Sequence, residues 1–243
     1  MFLENIIQST KQRMNLIHSG FEFPFYQALA TEGISFICEV KKASPSKGLL
    51  DEHFPYLEIA KEYESAGASA ISVLTEPEFF LGSGEHLKEI SQTVKTPTLR
   101  KDFVLDPYQI YEAKAWGASA VLLIAEILDE ETLSQFIQLA ESLGLSTLVE
   151  SHSLPQLQKA LRCGAKIVGV NNRNLETFEV DITTSIRLRE YVPDHILYVA
   201  ESGIRSPQDI NLLQKSGVDA VLIGEAFMRS PDKTAMLNTL RGY

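Results

Sequence analysis

Two lysines, three carboxylates and an amide recur at one kind of place in this sequence, the last residues of short β-rich runs. Glu39 and Lys41 end "ISFICEVKK" (34–42), Lys101 stands in "TPTLRKDF" (96–103), Glu150 in "STLVESH" (146–152), Asn171 in "AKIVGVNNR" (165–173) and Glu201 in "ILYVAESG" (196–203). A buried strand that ends in charge is costly unless the charges are paired or used. Alternation along a strand puts Glu39 and Lys41 on one face, and Lys101 on the face of Leu99 and Phe103. Ammonium groups donate protons and hold anions, and carboxylates accept protons or keep a lysine charged. Singly, each residue would serve as well in a strand-end ion pair. Together they read as an acid–base site for an anionic small molecule. Lys42 and Arg100, one residue out of phase, should face the helices, salt-bridged or exposed, and Glu126 reads as a loop charge. None of His18, His53, His86, His152 and His195 stands beside an Asp/Ser partner or at metal spacing. His152 is placed out of phase with Glu150, and neither a metal site nor a serine or cysteine nucleophile is expected.

These residues need elements to position them. Three further β-rich runs, "ASAISVLTE" (68–76), "ASAVLLIAEIL" (118–128) and "DAVLIGEA" (219–226), make eight in all. Amphipathic stretches such as "YLEIAKEYESAGA", "DPYQIYEAKAWGA" and "SPQDINLLQKSGV" lie between them, most ending in Gly as a helix C-cap requires. Strict β/α alternation predicts a parallel sheet with helical crossovers, and eight units close an α/β (β/α)8 TIM barrel. A doubly wound open sheet is the alternative, but GxGxxG and Walker A patterns are absent. The expected organisation is one barrel domain over 1–243, with residues 1–33 as a partly helical N-terminal extension, apolar at Ile6, Ile7, Met14 and Ile17, packed on the barrel.

In such a barrel the functional groups gather at the C-terminal ends of the strands. The loops after strands 7 and 8 often bind phosphate, and here "ESGI" and "LIGEA" place Gly203 and Gly224 at those turns, where the backbone can approach a ligand closely. Phe80, Phe103, Leu122, Ile124 and Leu175 would supply an apolar wall, although Leu122 and Ile124 are core residues first.

The chain carries 32 Asp+Glu against 22 Lys+Arg, a net charge of −10, which argues against nucleic acid or an anionic membrane as partner. Cys38 and Cys163 show no CxxC spacing, so a disulfide framework is not expected. No signal-peptide core or membrane-spanning run of about 18 apolar residues is present, so a soluble, cytoplasmic protein is expected.

The segments "EVKKASPSKG", "LRKDF", "LVESH", "VGVNNRNLETFEVD", "AESGI" and "LIGEAFM", in that order, resemble the signature segments of the indole-3-glycerol-phosphate synthase family. The resemblance implies a ring closure of 1-(2-carboxyphenylamino)-1-deoxy-D-ribulose 5-phosphate to indole-3-glycerol phosphate, CO2 and water in tryptophan biosynthesis, without a cofactor. It implies Lys101 as general acid, Lys41 as a second cation, Glu150 as proton acceptor or donor in the dehydration, and Glu39 and Glu201 as supporting carboxylates. Asn171 would bond substrate or Glu150, and Ser44 and Arg173 would hold the substrate's anionic groups. Ser202, Gly203, Gly224 and the N–H of Glu225 would take the phosphate. The carboxylate of Glu225 departs from the small hydroxyl residue that would be easiest there, and is expected to turn outward. A monomer is expected, with a homodimer left open. The alternatives are an aldolase-type barrel using a lysine Schiff base and a non-catalytic phosphate-binding barrel. Nearby carboxylates disfavour the first and the retained lysines and Glu150 the second.

Overall fold

The computed structural model describes residues 22–174 and 177–242. Eight strands, β1 (Ser35–Val40), β2 (Ala70–Leu74), β3 (Thr98–Lys101), β4 (Ala120–Ile124), β5 (Ser146–Ser151), β6 (Ile167–Asn171), β7 (Leu197–Glu201) and β8 (Ala220–Ile223), form a closed barrel. Each pairs in parallel with its sequence neighbours, and β1 closes against β8. The helices that cover this barrel are α2 (Tyr56–Ser65), α3 (Gly84–Thr93), α4 (Pro107–Ala115), α5 (Glu130–Ser142), α6 (Leu154–Arg162), α7 (Thr183–Arg189), α8 (Pro207–Lys215), α9 (Glu225–Arg229) and α10 (Lys233–Arg241), after α1 (Pro24–Leu29) at the start. All eight β-rich runs of the sequence are barrel strands, so the (β/α)8 expectation holds.

Alternation divides the core into two layers. Ile37, Leu99, Leu122, Ile124, Leu148, Val199 and Leu222 fill the barrel, while Val40, Val121, Leu123, Val149, Val168 and Val221 pack outward with helix residues such as Leu87, Ile110, Leu157 and Leu213. The helix-to-strand joint repeats because Gly67, Gly117, Gly164 and Gly217 all take left-handed φ between +81° and +88°, which a side chain would resist. Capping boxes at Asp106 and Ser206 start α4 and α8.

The extension expected over residues 1–33 is partly visible. Phe25 and Leu29 of α1 are fully buried and join the barrel's inner cluster, and the Ser35 hydroxyl donates to the Ala28 carbonyl at the start of β1. α1 therefore plugs the N-terminal mouth, opposite the strand ends that carry the charges. Ile6, Ile7, Met14 and Ile17 lie outside the described residues.

Arg100 does face outward and is buried, with Nη2 at 3.0 Å from Asp102 Oδ2, Nη1 at 3.3 Å from Glu112 Oε2, and the guanidinium 4.4 Å over the Trp116 ring. This network clamps β3 to α4 and so fixes the strand that presents Lys101. Lys42 is half-buried. Its carbonyl accepts from Leu50 N–H, closing a small hairpin of Ala43–Ser44 with Gly48–Leu49.

Candidate active site

The strand register brings the charged ends to one level, pairing Ile124 with Glu150 and Asn171 with Glu201 across neighbouring strands. Above them opens a cavity of about 670 Å³, lined by Glu39, Lys41, Lys101, Glu150, Asn171 and Glu201, a size suited to a small ligand. Ser44, Phe80, Phe103, Leu122, Ile124, Arg173, Ser202, Gly203, Gly224 and Glu225 also line it. Leu175 lies outside the described residues.

At the floor, Lys101 Nζ donates to Glu150 Oε2 at 3.1 Å, and Asn171 Nδ2 donates to Glu150 Oε1 at 3.2 Å. Arg173 N–H holds the other end of the Asn171 amide. Asn171 is thus bonded to Glu150, one of the two partners expected for it. Beside this group Lys41 donates to Glu39 Oε1 at 2.5 Å, and the Tyr63 hydroxyl donates to the Glu39 carbonyl. Glu39, Glu150 and Glu201 are all buried, so each needs a counter-charge or a proton.

Burial pulls the Lys101 ammonium down, but the Glu150, Glu201 and Glu39 carboxylates outweigh it and hold its pKa above the ordinary lysine value. Burial lifts Glu150, yet Lys101, His152 and Asn171 together keep its carboxyl below the usual range. Glu201 goes the other way: burial, then the neighbouring Glu150 charge, push it well above the usual carboxylate value. Two carboxyls within one pocket are thereby driven in opposite directions, the pattern that separates acid from base roles.

Two glycines make the room for this cluster. A Cβ on Gly169 of β6 would collide with Glu201 Oε1, and one on Gly224 would collide with Glu39 Oε1 and stand 3.0 Å from Lys41 Nζ. Gly224 was expected to admit a ligand; its surroundings show that it also admits the Glu39–Lys41 pair. Gly169 gave no signal in the sequence, because its need arises from Glu201, 32 residues away on the next strand.

The mouth is cationic. The Glu225 carboxylate does not turn outward as expected: it lines the cavity, with Arg229 Nε at 3.5 Å, Lys47 Nζ at 3.6 Å and Arg173 Nη2 at 3.9 Å. Three cations around one carboxylate leave this rim net positive, and Arg205 lies nearby on the same cavity wall. Lys47, Arg205 and Arg229 were not anticipated; Lys47 and Arg205 stand in strand-end loops, and the spacing of Arg229 four residues after Glu225 could have flagged it. Ser202 and Gly203 both take left-handed φ, +66° and +84°. Asn172 Nδ2 holds the Ser202 carbonyl at 3.1 Å in that strained turn, and such strain concentrates at functional sites. No side chain caps α9 at Gly224, which leaves first-turn N–H groups facing the mouth.

The apolar wall stands on the other side. Phe80 and Phe103 rings are 6.3 Å apart, and Leu122 and Ile124, buried as core, also form the wall beneath them. Phe80 is held by backbone bonds, its N–H to Glu76 Oε2 and its carbonyl to Ala43 N–H.

His152 corrects the sequence reading. Residues two apart in extended chain share a face, and His152 Nε2 stands 3.4 Å from Glu150 Oε1. Its Nδ1 stands 3.6 Å from Glu126 Oε2, so Glu126 is a loop charge with a partner. Among the described residues no cluster of three His, Cys, Asp or Glu could hold a metal ion, and no helix is long and apolar enough to cross a membrane.

A family model described as indole-3-glycerol phosphate synthase matches residues 4–240. The indole-3-glycerol phosphate synthase of Ruminiclostridium cellulolyticum is 54% identical over 258 residues, covering 100% of this chain and 99% of its own. That of Lachnoclostridium phytofermentans is 46% identical over 268 residues, 99% of each chain. Among solved structures, thiamine phosphate pyrophosphorylase from Pyrococcus furiosus superposes with a TM-score of 0.64 at 20% identity, over 86% of this chain and 94% of that one. A chain of the tryptophan synthase a2b2 complex, from a hyperthermophile of the same name, gives 0.64 at 17%, over 86% and 98%. At such identities the structural likeness carries the fold alone. The sequence matches carry more: the chain belongs to the indole-3-glycerol phosphate synthase family.

Proposed function

We propose that this cavity binds 1-(2-carboxyphenylamino)-1-deoxy-D-ribulose 5-phosphate and closes its indole ring, releasing CO2 and water, in tryptophan biosynthesis. The observation that carries the reading is a half-buried Lys101 held as ammonium among three carboxyl groups at the floor of an otherwise cation-rimmed cavity. A ketone attacked by an aryl carbon needs a proton on its oxygen, and a charged, positioned lysine supplies it. The same charge state disfavours Lys101 as a Schiff-base nucleophile, which must be neutral.

The anthranilate ring lies against Phe80, Phe103, Leu122 and Ile124, with its carboxylate toward Arg173 and Ser44. Arg suits that task through paired N–H donors. The phosphate sits at Ser202, Gly203, Gly224 and the N–H of Glu225, where the rim cations offset the Glu225 charge. Condensation forms the carbon–carbon bond as Lys101 protonates the ketone oxygen. Loss of CO2 then returns its bonding pair to the ring. In the dehydration the carbon–oxygen bond breaks with its pair on oxygen, Lys41 supports the leaving group, and Glu150 takes a proton from the former methylene. Glu39 positions Lys41 through their hydrogen bond, and Asn171 orients Glu150. Every step is a proton transfer or heterolysis within reach of these side chains, so the reading calls on no cofactor. One chain supplies all of them, and a monomer in the cytoplasm suffices.

The test is formation of indole-3-glycerol phosphate, followed by its fluorescence, with wild type and Lys101→Ala. Loss of a positioned general acid should cut turnover by about 10²-fold or more. Wild type that binds the compound without turning it over would overturn the reading.

A further inference from the structure

We propose that His152 and Glu126 form a relay that returns to the site the proton each turnover consumes. The proposal rests on the reaction proposed above, whose balance requires such a return. The ketone oxygen leaves as water with two protons. One comes from the methylene carbon by way of Glu150 and the other from Lys101, while the carboxylate departs as CO2 and carries none. Each turnover therefore leaves Lys101 one proton short, and that proton must come from solvent.

A substrate filling the cavity stands between Lys101 and the water at its mouth. A second route reaches the site from behind. Lys101 Nζ lies 3.1 Å from Glu150 Oε2, the opposite oxygen of that carboxylate lies 3.4 Å from His152 Nε2, and His152 Nδ1 lies 3.6 Å from Glu126 Oε2. Neither His152 nor Glu126 lines the substrate cavity. The Glu126 side chain is 52% exposed, whereas both ring nitrogens of His152 are shut off from solvent and lack a hydrogen-bond partner in this geometry. Unpartnered imidazole nitrogens, shut off from solvent and each within 3.6 Å of a different carboxylate, are costly to keep as mere packing, and a small reorientation of the side chains would align both contacts. An imidazole that gains a proton at Nδ1 and loses one at Nε2 transfers charge and returns by ring or tautomer exchange. The groups facing His152 are Glu150 from β5, Glu126 from the loop after β4, and Arg187 and Glu190 across a shallow crevice at α7.

The relay reloads Lys101 after the chemical steps while product still fills the cavity, which separates it from a structural role. In stopped flow with weak buffer, Glu126→Gln and His152→Gln should complete the first turnover at the wild-type rate, then run about tenfold slower than wild type in the steady state, with kcat/KM unchanged. Added imidazole should restore the steady rate of both variants and leave wild type unaffected. Glu126 is exposed, so its variant keeps the test independent of any folding defect at His152. Steady rates equal to wild type in both variants, or a first turnover slowed as much as later ones without imidazole rescue, would overturn the relay. Wild type that makes no indole-3-glycerol phosphate would instead overturn the reaction on which it rests.

Discussion

Lys101→Met removes the cation 3.1 Å from Glu150 Oε2 and leaves that carboxylate buried. At this separation and an effective dielectric near 20, the lost attraction is about 5 kcal/mol. Removing one partner of a buried pair typically costs about 3–5 kcal/mol. The pH dependence gives the sharper test. In wild type, burial raises the Glu150 carboxyl but Lys101, His152 and Asn171 overcome it, so its folded-state pKa is depressed. A depressed carboxyl adds stability above its unfolded value of about 4.3 and loses it as pH falls through the folded value. Without Lys101, burial governs, the folded pKa rises, and the sign reverses. The variant then carries a penalty that is absent in acid and grows by about 1.4 kcal/mol per pH unit until its own pKa is reached. Urea unfolding followed by circular dichroism should show a small deficit against wild type near pH 5 and about 3 kcal/mol near pH 8. Adding Glu150→Gln should recover most of the loss. An equal deficit at both pH values, or no recovery in the double variant, would refute the claim that the pair is held together by charge.

Two further outcomes follow from the same cluster. Glu201 has a raised folded-state pKa, so its contribution to stability is fully present below the unfolded value and is lost as pH rises toward the folded one; Glu201→Gln should match wild type near pH 4 and exceed it near pH 8, by about 1.4 kcal/mol per pH unit of the upward shift. A pH-independent difference in unfolding free energy would contradict this. Gly224→Ala places a methyl against the Glu39–Lys41 pair on a backbone of ordinary negative φ. Displacing that pair should lower kcat by about 10- to 100-fold, equivalent to an overpacking cost of about 1–3 kcal/mol; rates within twofold of wild type would mean that the pair has space to retreat.

The barrel and most of its polar floor could be read from the sequence because both depend on local order. Strand periodicity, glycine after each helix and charges in phase at strand ends are all visible within a few residues. Long-range crowding is not. Gly169 is explained only by Glu201 on the next strand, and Gly224 only by the pair on β1. Glu225 was expected to avoid the cavity because its repulsion of phosphate was weighed alone; the folded loops bring Lys47 and Arg173 to it, and Arg229 reaches it from one turn along the same helix. The Ala43–Leu49 hairpin escaped notice because each arm has two residues and one partner is tied to Phe80 across the mouth. His152 could have been found from spacing alone, since its separation from Glu150 already placed both on one face.

The central claim is that Lys101 works as a charged acid. Its ammonium can be followed directly by nitrogen NMR on protein labelled at lysine Nζ, with Lys101→Met to assign the signal. The account predicts that this signal still reports an ammonium at pH values near 10.4, where an ordinary lysine is half titrated. A Lys101 that becomes a neutral amine more than about one pH unit below that value would contradict it and restore a nucleophilic role for the side chain.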